Sequence, residues 1–240
     1  MSDMATMYVI QGRVFAPDVV PYRLIITPFG TNHLKQALGF RDATWNQDNG
    51  DYVFQDGALE YDGVVVPVMW LGFNERRIVV QVQGDSAAAH NAYSSVSVAL
   101  TELVPGFQGA EPIVLNEETS YAARLNFEWS SLLNPVIVDQ LSVLAKHLST
   151  GNVRRVVKGV SLRFTLGAVS ADEKLSEYGI ALQDQTVVIE PRADVPLAEQ
   201  VYFTYSPCDS DAHLKMVSGL DDNLTKTKIG AKKRARVRVP

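Results

Sequence analysis

ALEYDGVVVP at residues 58–67 is echoed by ALQDQTVVIE at residues 181–190. At an offset of 123, Ala58, Leu59, Val64 and Val65 fall on Ala181, Leu182, Val187 and Val188. Four shared letters arise readily by chance, so the weight rests on the segments downstream of each stretch. RRIVVQVQ and then a helix start at GDSAAAH come after the first; AEQVYFTYSP and then CDSDAH come after the second. At an offset of 124, Asp85 and Ser86 meet Asp209 and Ser210 as helix-start signals. The same offset lays Ala89, Ala92, Val96 and Leu100 on His213, Met216, Leu220 and Leu224, so the two core-facing stripes coincide. The expectation is one α+β unit used twice.

The second half is the clearer to read. In SYAARLNFEW, Ala123, Leu125, Phe127 and Trp129 alternate with polar residues, the period of a half-buried strand. Asn134 and Pro135 then open a helix with Ile137, Leu141, Leu144 and Leu148 on one face and Gly151 just past its end. VRRVVKGVSLRFTLG, ALQDQTVVIEP and AEQVYFTYSP read as three strands, and the last helix is expected to end near Leu224. In the first half, MYVIQGRVF reads as a strand and VVPYRLIITPFGTNHLKQALG as a mixture of strand and short helix, a poor copy of 134–151.

Each half would then run strand, helix, two or three strands, long helix and a closing strand. EPIVLNE (111–117) closes the first and RARVRV (234–239) the second. That order resembles a ferredoxin-like split βαβ unit with an additional strand. The expected fold is α+β, with two similar halves about a pseudo-twofold axis, each a mainly antiparallel sheet with two helices. The boundaries are 1–118, 119–225 and a basic C-terminal tail or edge strand at 226–240, with a ligand site expected at the seam.

Composition sets the outer limits. In 240 residues, 46% hydrophobic and 20% charged, there is enough apolar material for one large core or two of ordinary size. The lone Cys208 excludes an internal disulfide framework and suits a reducing compartment. MSDMATMYVIQGRVF has no basic n-region and only a four-residue apolar stretch before Gln11, so it does not read as a signal peptide. VVVPVMWLGF is far short of a membrane helix, and the expected location is cytoplasmic.

Charge is segregated. Lys226, Lys228, Lys232, Lys233, Arg234, Arg236 and Arg238 close the chain without one acidic residue among them. The remainder carries 15 basic against 27 acidic side chains, a net charge of −12. Such a segment attracts phosphates or an acidic protein surface. Arg154, Arg155, Lys158 and Arg163 extend the patch if they share a face with it.

Catalytic signals are thin. DSDAH places Asp209, Asp211 and His213 within about one turn beside Cys208, a possible metal cluster that reads more simply as an acidic helix cap and first turn. No nucleophile elbow, P-loop or dinucleotide fingerprint is present. Asp172, Glu173 and Glu177 read as surface loop, and Tyr202, Phe203 and Tyr205 as strand residues rather than a base-stacking platform. No catalytic residue, metal or cofactor is assigned. The leading expectation is a non-catalytic binding or assembly subunit, with itself or another protein as partner and no membrane. The alternatives are nucleic-acid binding through the basic segment, and an enzyme whose seam site draws on His90 or His213.

Overall fold

A computed structural model describes residues 6–47, 50–61, 64–132, 135–147, 149, 161–167, 184–193 and 195–236. Among them are nine strands in one sheet: β1 (Thr6–Val14), β2 (Asp42–Trp45), β3 (Tyr52–Tyr61), β4 (Val64–Phe73), β5 (Arg77–Gln83), β6 (Val114–Arg124), β7 (Leu162–Leu166), β8 (Gln185–Pro191) and β9 (Val201–Ser206). Five helices accompany them: α1 (Tyr22–Ile25), α2 (Pro28–Leu38), α3 (Ser86–Leu103), α4 (Pro135–His147) and α5 (Ser210–Arg236).

The sheet order is β2-β3-β4-β5-β1-β6-β9-β8-β7, and every neighbouring pair is antiparallel. Outward from the central β1–β6 ribbon, β1-β5-β4-β3 on one side has the same chain order as β6-β9-β8-β7 on the other. The register agrees. Val9 pairs with Val82 and with Thr119, and Thr119 pairs with Ser206, 124 residues after Val82. A two-fold rotation about the Val9–Thr119 pair therefore exchanges the pairings of β1 with β5 and of β6 with β9.

The ferredoxin-like expectation does not hold. In a split βαβ unit one strand separates two parallel strands. Here three strands separate β1 from β2, and β6 and β7 are antiparallel with two between them. Nor does a strand close the first half at 111–117, because β6 runs unbroken through residues 118 and 119 and builds the centre of the sheet. It ends at Arg124, short of Phe127 and Trp129. The mixed segment after β1 is helical, with Thr27 capping α2 by accepting from the Gly30 N–H at 3.1 Å.

The stretch that suggests the repeat needs a second correction. Residues 58–61 lie on β3 and 64–67 on its neighbour β4, while 185–190 lie on β8 alone. Val188 faces Tyr205 across β9 as Trp70 faces Gln81 across β5, so the structural offset between β4 and β8 is 118 rather than 123. Val65 and Val188 thus sit on corresponding strands at non-corresponding positions. Residues 181–183 lie outside the described residues.

α2, α3 and α5 lie on one face of the sheet. Under α2 and α3 is the main core, in which Val9, Phe54, Leu71, Phe73, Ile78, Val80 and Val82 meet Leu34, Leu38, Ala89, Val96 and Leu100. Close approach fixes two glycines: a Cβ on Gly30 would collide with the backbone of Leu24, and one on Gly57 with the Phe40 ring. A smaller core in the second half joins Leu125, Phe127, Ile189, Tyr202 and Val217, with Met216, Leu220 and Leu224 packed against it. α5 does not stop there. It continues as helix through Arg236, so 234–236 are not an edge strand, while 237–240 lie outside the described residues.

Candidate functional site at the seam between the halves

The seam starts from the pleat of β1. Alternation turns Val9 and Arg13 toward α3, and Met7 and Gln11 share that face. Arg13 lays its guanidinium over the Tyr93 ring of α3, 3.4 Å from the centroid, and donates from Nε (3.2 Å) and Nη2 (2.9 Å) to Gln11 Oε1. Nη2 also lies 3.3 Å from His90 Nδ1. Burial lowers the Arg13 pKa, opposed by its neighbours Tyr93 and Glu117.

The helices α3 and α5 begin beside one another at the centre of the seam. Asp85 caps α3 by accepting from the Ala88 N–H at 2.9 Å, and Asp209 caps α5 by accepting from Ala212 N–H at 2.8 Å. Between the caps, Ser86 N–H donates to Ser210 Oγ at 3.1 Å and Ser210 N–H donates to Ser86 Oγ at 2.7 Å. Both N–H groups belong to the first turn of a helix, where no intrahelical acceptor exists.

One turn into α5, its buried surroundings differ in kind from those of α3. Positions 80, 82 and 89 of the first half are Val80, Val82 and Ala89, all in the apolar core. Their counterparts 124 residues later are Thr204, Ser206 and His213, likewise buried. His213 Nε2 is 2.8 Å from Thr204 Oγ1 and Nδ1 is 2.6 Å from Ser206 Oγ. Thr204 spends its hydrogen on the Tyr121 carbonyl at 3.1 Å, so toward the ring it is an acceptor and Nε2 carries the proton. Nδ1 then accepts from Ser206, which in turn accepts from the Cys208 thiol at 3.0 Å. Every hydrogen in this chain is assigned, and the ring is neutral. Burial pushes its pKa down to about 4.

The second half is also pinned further along α5. Asp221 accepts from Asn126 N–H (2.7 Å), Asn126 Nδ2 (2.7 Å) and Phe127 N–H (3.1 Å). Tyr202 donates to the Phe127 carbonyl at 3.2 Å and packs on the Phe127 ring at 4.6 Å. Burial first, then the nearby charges of Glu128 and Asp221, push its pKa up to about 12. Tyr205, on the opposite face with Phe203, is also raised, by burial and by its hydrogen bond to Glu118.

These positions decide several of the sequence expectations. Asp209 caps its helix, Asp211 is exposed and His213 is buried among hydroxyls, so DSDAH does not converge on one point. Among the described residues no group of three or more His, Cys, Asp or Glu could hold a metal ion. His90 is exposed beside Arg13 while His213 is fully buried, so the two do not line one pocket. A cleft of about 430 Å³ is instead lined by Pro17, Asp18, Tyr22, Arg23, Glu75 and Arg76 and contains no histidine. Of the basic candidates, Arg163 is exposed on the outermost strand, β7. Lys226, Lys228, Lys232, Lys233, Arg234 and Arg236 occupy the last turns of α5. Arg154, Arg155, Lys158 and Arg238 lie outside the described residues. Sequence reading misses the Thr204–His213–Ser206 chain, although the offset of 124 already sets three polar residues opposite three apolar ones. Among the described residues no helix is long and apolar enough to cross a membrane.

Comparison with known protein families finds no family model that matches this chain, and comparison with curated proteins finds no relative.

Proposed function

We propose that this protein is a non-catalytic assembly subunit that self-associates head to tail, the basic end of α5 meeting the acidic first half of a neighbouring copy. The observation that carries this reading is the segregation of charge. Residues 1–118 hold 14 acidic and 6 basic side chains, and residues 226–240 hold 7 basic and none acidic. Among the described side chains, the last of α5 to pack on the smaller core is Leu224, two residues before the basic run begins. Opposite charges at two ends of one chain favour a heterologous contact, which repeats from copy to copy. We read the body as one strand–helix–three-strand–helix unit used twice, with β2 added to the first copy, fused into a single sheet, and the protein as cytoplasmic, consistent with its lone free thiol.

Light scattering on the full chain and on residues 1–225, at about 0.05 M and about 0.5 M salt, tests this reading, since exposed charge pairs weaken as the Debye length shortens. Assembly of the full chain at low salt alone supports it. Monomers throughout overturn it, and nucleic acid co-eluting with the full chain would give the basic segment, with Arg163, to the competing reading.

A further inference from the structure

We propose that the Thr204–His213–Ser206 chain is an acid-sensitive latch that holds the root of α5 on the sheet. A second ring proton forces the network to reverse its donor order. With Nε2–H given to Thr204, and Thr204 committed to the Tyr121 carbonyl, the only ring atom able to take a proton is Nδ1. That atom already accepts from Ser206 at 2.6 Å. Once protonated, it faces a hydroxyl that must reverse and turn its hydrogen toward the weakly accepting Cys208 sulfur.

Among the described residues, the ring's hydrogen-bond partners are hydroxyls and not carboxylates. The groups facing the ring are Tyr121 from β6, edge-on at 6.3 Å between centroids, and Cys208 through Ser206. From α3 the uncharged Ser86 meets the start of α5 at Ser210, and the neighbouring Asp85 is spent on its own helix cap. On α5 itself Asp209 is spent on its cap and Asp211 is exposed. A buried imidazolium here has hydroxyls for neighbours and no counter-charge, so the ring protonates by leaving. The first half, with Val80, Val82 and Ala89 at these positions, has nothing of the kind.

Leaving means lifting the root of α5 from β9. The same move uncovers the smaller core, since Val217 and Met216 come within about one turn after His213. Acid therefore loosens the second half while α3 stays seated.

Hydrogen exchange followed by mass spectrometry on the full chain, corrected for the intrinsic pH dependence of exchange, reads this directly. Between pH 7 and pH 4 the amides of 213–224 should lose protection roughly 100-fold relative to those of α3. The variant T204V/S206V/H213A, which carries the residues of the first half, should lose no more than a few-fold. Asp221 is a second tie between α5 and the residues after β6, and D221N measures its share. Unchanged protection in the wild type, or an equal loss in the triple variant, overturns the latch. Should the triple variant not fold, H213Q and the imidazole nitrogen signals of the wild type decide. A ring held as the Nε2–H tautomer from pH 8 to pH 5 supports the latch, and one titrating near its ordinary value while α5 remains protected contradicts it.

Discussion

Ser86 and Ser210, 124 residues apart, each donate a backbone N–H to the other's hydroxyl, at 3.1 and 2.7 Å. Helix starts ordinarily satisfy such groups from their own caps or from water. Here two helices satisfy each other, at the offset that relates Val82 to Ser206. The contact therefore ties the helical layer together over the same point at which β1 and β6 tie the sheet.

Removing either hydroxyl strands one N–H at the seam. S86A and S210A should each destabilise the chain by about 1 kcal/mol, read as a shift of the denaturation midpoint without a change in slope. Because the two bonds share the same two residues, the double variant should cost less than the sum of the single ones. Strict additivity would show that water replaces each bond independently.

Alkaline pH tests the smaller core. The Tyr202 phenol has a folded pKa of about 12 against an ordinary 10, so the unfolded chain gives up its proton first as pH rises. The stabilisation from keeping it neutral is complete below about pH 10 and lost between about 10 and 12, on the order of 2 kcal/mol. Y202F should start lower, having lost the bond to Phe127, and then show a flatter alkaline limb in stability measured against pH. An unchanged limb would place the loss elsewhere.

Gly30 marks where α2 crosses α1. A methyl group there meets the Leu24 backbone, which cannot swing aside as a side chain can. G30A should cost about 1–3 kcal/mol, the range for forcing atoms into a filled space, visible as a fall in thermal midpoint. G219A, at a position where a Cβ meets nothing within 4 Å, should not destabilise the fold.

Sequence carries the second half of this fold further than the first. β8, β9, α4 and the start of α5 are legible because their apolar periods and capping residues act locally. The division between β3 and β4 is hard to see in the sequence because the apolar run of Val64–Phe73 dominates it. β6 divides on paper at the polar run around Glu117–Thr119, where the residues sit in the middle of a nine-stranded sheet and need no apolar face to be paired. The end of α5 misleads for the opposite reason. The alternation of arginine with small or apolar residues after Lys233 imitates an edge strand, yet Lys, Arg and Ala are good helix formers and a helix closes its own hydrogen bonds. The seam site is hidden because Thr, Ser and His look ordinary one at a time. Only comparison with Val80, Val82 and Ala89 marks them as a buried polar substitution.

The assembly claim stands or falls on molar mass. Size-exclusion chromatography with light scattering should give the full 26.4 kDa chain a mass of at least two copies at about 0.05 M salt and one copy at about 0.5 M, while residues 1–225 remain single at both. A full-length chain that is monomeric at low salt, or a truncated chain that assembles equally well, would contradict the account.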